Sequence, residues 1–255
     1  MPAWTAFAGF VVVVVVGLLL LARASAGVID TSTSHTGTEQ YAAGTDAPPT
    51  LSKRVVGESS TPSTSTLLVN VLLSQGLFAA LLLVGAWYAS IPAAALGAGA
   101  DAFTPVALGA GVALGLALHA VNVAGSRLSD RYDLGDPGAL RRAMTPETTA
   151  GWALLLGVVL PLVAGFEELL FRGVLVGAFA VGFGVSPWLL AGVSSAAFAL
   201  GHGAQGWIGV VVTGALGFVL AAAFVLTGSL WTVVIAHYLV NALEFVGSDA
   251  DRDSR

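Results

Sequence analysis

Residues 148–182 read TTAGWALLLGVVLPLVAGFEELLFRGVLVGAFAVG. A helix rises about 1.5 Å per residue and a bilayer core is about 30 Å thick, so roughly 20 apolar residues cross it. This run is too long for one upright crossing, and it carries Glu167, Glu168 and Arg172 near its middle. Pro161 lies six residues before Glu167 and removes one helical hydrogen bond, so a kink is expected there. The segment therefore reads as a membrane helix that bends, or that splits in two.

Six further apolar runs flank it: Trp4 to Ala22, Thr66 to Ser90, Phe103 to Ala124, Trp188 to Gly201, Trp207 to Leu226 and Leu230 to Val246. The expectation is an all-α polytopic transmembrane helical bundle of about seven spans, or eight if the long run splits. Composition agrees. Of 255 residues only 10% are charged and 56% are hydrophobic, whereas a soluble domain carries about a quarter charged residues. An ordinary soluble enzyme and a disordered chain are both excluded. The absence of cysteine removes disulfides, thiolate metal sites and cysteine nucleophiles. A net charge of −5 argues against a nucleic-acid partner.

The chain divides into a membrane anchor (1–25), a Ser/Thr/Gly-rich linker (26–65), two accessory spans with an Arg-rich loop (66–147), a block of four spans (148–246) and a charged tail (247–255). Small residues around Ala22-Arg23-Ala24 resemble a cleavage site, but no basic segment precedes the first run. Basic residues cluster on the cytoplasmic side of membranes. With the N-terminus outside and all seven spans retained, Arg23, Lys53, Arg54, Arg127, Arg131, Arg141, Arg142, Arg252 and Arg255 all fall inside. The expected placement is a multi-pass cell-membrane protein with its C-terminus cytoplasmic.

Ionisable groups inside apolar runs cost about 2.5–3.5 kcal/mol each near a helix centre, so they face a polar interior and mark function. Glu168 and Arg172 stand i and i+4 with the acid first, the favoured order for a pair. Glu167 is then left freer for chemistry. His202 ends the fifth run, His237 lies within the seventh, and Asn241 follows one turn later on the same face. Two carboxylates, two imidazoles and an amide on three neighbouring spans can activate water and hold an oxyanion. A catalytic or metal-binding site is the reading.

Glu167-Glu168-x-x-x-Arg172, Phe198-x-x-x-His202 and His237-x-x-x-Asn241, in that order and each on its own span, resemble the motif set of the CPBP family of CAAX proteases and bacteriocin-processing membrane enzymes. The resemblance covers about residues 148–246, as a four-helix catalytic core. It implies an intramembrane endopeptidase of the glutamate or metallo type, in which Glu167 and His202 activate water and His237 and Asn241 stabilise the oxyanion. Glu168 and Arg172 would support the site and Phe198 would pack it. Zinc held by Glu167, His202 and His237 would fit the three-ligand catalytic pattern, although no H-E-x-x-H is present; a metal-free mechanism uses the same residues. The implied partners are membrane lipid and a membrane-associated protein or peptide, prenylated or not. Oligomeric state is not legible in the sequence.

Two other classes share some of these features. A proton-coupled transporter also buries Glu, His and Arg, but the sequence shows no second copy of the Glu-Glu segment. A non-proteolytic scaffold or immunity protein would tolerate loss of Glu167. Asn70, Gln75, His119 and Asn122 read as interhelical hydrogen-bonding residues and Glu244 as an interfacial acid. Gly111-x-x-x-Gly115 and Gly173-x-x-x-Gly177 read as close packing sites.

Overall fold

The computed structural model describes residues 1–36, 63–131, 141 and 144–253. Among these, all regular structure is helical. We number the long elements α1 (Trp4–Thr36), α2 (Thr64–Tyr88), α3 (Pro105–Arg131), α4 (Thr149–Phe183), α5 (Pro187–Gly201), α6 (Gly206–Thr227) and α7 (Leu230–Asp253). The expected polytopic helical bundle is present. Six of the helices are long and apolar enough to cross a membrane. The seventh, α5, has 15 residues, or about 22 Å, short of a full crossing. The helix α1 runs on to Thr36, into the stretch read as linker; residues 37–62 lie outside the described residues.

Burial separates a centre from a periphery. Half of the most apolar window of α4, and half of that of α7, is enclosed by the bundle, against 11% for α2 and for α3. Outward faces such as Val12 and Val13, Leu73 and Leu77, and Val211 and Val212 are exposed apolar surface of the kind lipid solvates.

The long helix α4 is unbroken. It takes up Pro161 through a π-helical stretch, Leu155–Val159, in which the Leu160 N–H reaches back five residues to the Leu155 carbonyl. The kink expected from sequence is thus a widened turn. A second π-helical stretch, Leu169–Ala178, follows Glu168 directly and contains Arg172. Its close is again an i−5 bond, from the Phe179 N–H to the Val174 carbonyl.

Both small-residue motifs pack within the chain. A Cβ at Gly111 would lie 2.7 Å from the Thr232 carbonyl oxygen, and one at Gly115 3.0 Å from that of Ala236, so α3 lies backbone-close on α7. Gly173 and Gly177 face the carbonyls of Leu96 and Ala95 in the short 3-10 turn Ala93–Leu96. That turn tucks its Ala95 and Leu96 into the bundle. It ends on Gly97 in the left-handed region, where a Cβ would stand 2.6 Å from the Phe224 ring. The Gly97 carbonyl accepts from the Leu230 N–H at 2.8 Å, which ties the turn to the start of α7.

Candidate active site

Glu168 sits where the regular helix of α4 gives way to the π-helical stretch, and its side chain is fully buried. Its Oε1 accepts from Arg172 Nη1 at 2.6 Å. The same oxygen lies 2.6 Å from His237 Nδ1 on α7. Arg172 is also fully buried. Its other fork nitrogen donates to the Gly217 carbonyl on α6 at 2.9 Å, and its guanidinium lies 4.7 Å from the centre of the Phe198 ring. One carboxylate and one guanidinium thus tie α4, α5, α6 and α7 together. Pairing is what makes such burial tolerable, since an isolated ion in an apolar interior is strongly penalised.

Glu167 is held differently. Its side chain is 12% exposed, and its Oε2 stands 3.6 Å from His237 Nε2, beyond a direct hydrogen bond and at a spacing that suits a bridging water. His237 is therefore bracketed: Nδ1 on Glu168, Nε2 towards Glu167. With Nδ1 donating to Glu168, Nε2 accepts when the ring is neutral and donates when it is an imidazolium. The two carboxylates thus differ in burial as well as in pairing.

The other motif residues gather around one aromatic ring. Phe198 is 1% exposed and meets Phe171 edge-on at 5.0 Å. His202 tilts against it at 4.5 Å between ring centres and His237 meets it edge-on at 6.0 Å. His202 turns Nδ1 onto the Phe198 carbonyl at 2.8 Å. As His202 follows the last residue of α5, this bond caps the helix end and orients the ring. Asn241 is half-buried one turn after His237, and its side-chain amide has no hydrogen-bond partner among the described residues.

The donor set does not fit zinc in this arrangement. Among the described residues, no three His, Asp or Glu side chains form a group that could hold a metal ion. Glu167, His202 and His237, read from sequence as a ligand set, do not form one. A catalytic zinc takes three protein ligands, so no step below passes through a metal.

Several polar residues behave differently from their sequence reading. Of the four expected to bond between helices, His119 does so, to Glu244 on α7 at 3.2 Å. Among the described residues, Asn70 and Asn122 take part through backbone carbonyls that accept from Ser74 and Ser126. Gln75 Oε1 is buried without a partner among the described residues. Glu244, expected at an interface with water, is 10% exposed and pairs with both Arg141 and His119. Sequence reading also missed Ser194, whose hydroxyl donates to the Phe171 carbonyl at 2.6 Å and clasps α5 to α4. Adjacent serines at 194 and 195 in an otherwise apolar span were the available signal. Gly217, whose contribution is a carbonyl, left no signal at all.

Residues 149–243 match the family model described as "Rce1-like: Type II CAAX prenyl endopeptidase Rce1-like". This segment is similar to that family. The match runs from the first residue of α4 into α7, so it spans every motif residue and leaves α1, α2 and α3 outside. No curated protein and no solved structure matches the chain. Together, the match and the six long apolar helices support a multi-pass membrane protein with a segment similar to the CAAX proteases.

Proposed function

We propose that the Rce1-like segment hydrolyses a peptide bond of a membrane-associated substrate, using water activated by Glu167. The observation that supports it best is the bracketed imidazole, with Glu168 against Nδ1 and Glu167 3.6 Å from Nε2. Glu167, the more accessible carboxylate, takes a proton from water as the water oxygen attacks the scissile carbonyl carbon. The resulting oxyanion is met by the Asn241 amide and by the Nε2–H of His237, whose ring carries a proton on both nitrogens as an imidazolium facing the Glu168 carboxylate. His237 keeps its Nδ1–H on Glu168 throughout, so the ring does not turn. When the C–N bond breaks, Glu167 returns its proton to the departing amine nitrogen. His202 lines the water side, aimed by its bond to the Phe198 carbonyl. Preformed donors in a site screened from bulk water are worth more than the same donors in water.

The family description points to substrates ending in a prenylated CAAX sequence, whose lipid would keep them in the plane of the bilayer. The basic residues favour the cytoplasmic side for the Arg127 to Arg142 loop and therefore for the start of α4. The test is cleavage of a farnesylated peptide with a free C-terminus, in vesicles, by the purified full chain. Product from the wild type and none from Glu167→Gln is expected. Equal product from both would overturn the assignment.

A further inference from the structure

We infer that Glu244 is a positioning residue for the site, holding the rotation of α7 so that His237 and Asn241 face Glu167 and Glu168. The inference rests on the oxyanion role proposed above for His237 and Asn241.

Three observations carry it. Glu244 lies seven residues after His237 and three after Asn241, so all three share one stripe of α7. Its carboxylate is 10% exposed and is held from two separate elements, by Arg141 before α4 and by His119 on α3. The Thr145 hydroxyl, itself buried, donates to the Arg141 carbonyl at 3.0 Å. The pair therefore links the lead-in of the Glu167 helix to the His237 helix.

The opposite end of α7 is pinned independently. The Leu230 N–H donates to Gly97, the Ser229 hydroxyl to the Ala102 carbonyl at 2.7 Å and the Thr232 hydroxyl to the Ala107 carbonyl at 3.0 Å. His237 stands midway between the two pins, seven residues from Leu230 and seven from Glu244. Its own bond to Glu168 gives it further support. Asn241 has no such bond among the described residues and takes its aim from the helix alone.

A side-chain tip lies about 5 Å from a helix axis, so a turn of roughly 10° moves it by about 1 Å. Displacement of that size can cost on the order of 10²-fold in rate. Loss of the Glu244 pin should therefore act through Asn241 and on turnover more than on substrate binding.

The experiment uses the full chain in vesicles with the farnesylated peptide. It compares wild type, Glu244→Gln, Asn241→Ala, their double variant, Glu167→Gln and the charge swap Glu244→Arg with Arg141→Glu. We expect Glu244→Gln to lower kcat about 10-fold with KM within about twofold. The double variant should be no slower than Asn241→Ala alone, because the pin has no amide left to aim. Unchanged kcat in Glu244→Gln, with Glu167→Gln inactive, overturns the inference alone. A double variant in which the two losses multiply also overturns it, because that marks general loosening. Activity retained by Glu167→Gln overturns the site assignment itself, and the inference with it. If Glu244→Gln fails to fold, the charge swap decides: folded and active supports the pin, folded and inactive refutes it.

Discussion

Glu168→Gln isolates the charge of the buried carboxylate from its shape. Both donors, Arg172 Nη1 and His237 Nδ1, meet the same oxygen at 2.6 Å. A glutamine can keep that oxygen in place. Its NH2 would replace Oε2, which is already buried without a partner among the described residues, so this exchange adds little. What is lost is charge. Hydrogen bonds to an ionised group are about twice as strong as neutral ones, so each of the two bonds weakens by about 1 kcal/mol. Arg172 is left as an unpaired buried cation, a situation that typically costs ~3–5 kcal/mol. Here the Gly217 carbonyl and the Phe198 ring still face it and soften the loss. We expect about 2–3 kcal/mol, at or just below the low end of that range.

For a chain of this size each kcal/mol shifts thermal unfolding by about 2–4 °C, so the midpoint in detergent should fall by roughly 5–10 °C. Glu167→Gln should shift it little, because Glu167 is more exposed and its nearest charged neighbour is 3.6 Å away. Cleavage should instead fall by about 10²–10⁴-fold in that variant, the usual cost of a lost general base. Adding Arg172→Met to Glu168→Gln should recover part of the stability by removing the stranded charge. Thermal scans and cleavage assays on the three variants check this together. A stable but inactive Glu168→Gln beside an active Glu167→Gln would show that the two carboxylates have been assigned the wrong way round.

Other expectations follow from single contacts. Gly177→Ala should destabilise by about 1–3 kcal/mol through overpacking, because a Cβ there would lie 2.5 Å from the Ala95 carbonyl oxygen; an unchanged unfolding midpoint would contradict the seating of the 93–96 turn. Phe198→Ala should cost about 3–5 kcal/mol and reduce cleavage as well, since it removes the ring against which both histidines pack; chemical denaturation and turnover measure the two losses. Cleavage should survive prolonged dialysis against a strong zinc chelator, and loss of activity that added zinc restores would return the metal to the mechanism. Single cysteines at Ser129 and Ser186, introduced into this cysteine-free chain, should label from the cytoplasmic and the outer side respectively; the reverse pattern would invert the proposed topology.

The sequence alone settled whatever depends on one helix at a time. Charge scarcity and apolar run length required a helical membrane bundle, because a bilayer admits only helices and closed barrels, and unbroken apolar runs of about 20 residues match a helix and not a barrel strand. Within α4, the four-residue spacing of Glu168 and Arg172 was enough to pair them, and their pairing left Glu167 as the more available carboxylate. The motif order was enough to indicate a protease family.

Contacts between helices were a different matter, because they depend on how the bundle closes. Glu168 proved to hold His237 as well as Arg172, and the pairing crosses 69 residues of chain. The two glycine pairs were legible as packing sites, but not that one seats α3 on α7 and the other a loop on α4. Glu244 read as an ordinary boundary acid because its partners, His119 and Arg141, are brought to it only when α3 and the lead-in to α4 fold against α7. Side-chain type and spacing report on a helix's own faces. Which face meets which neighbour is set by close packing of many small contacts, and only the assembled tertiary structure decides it.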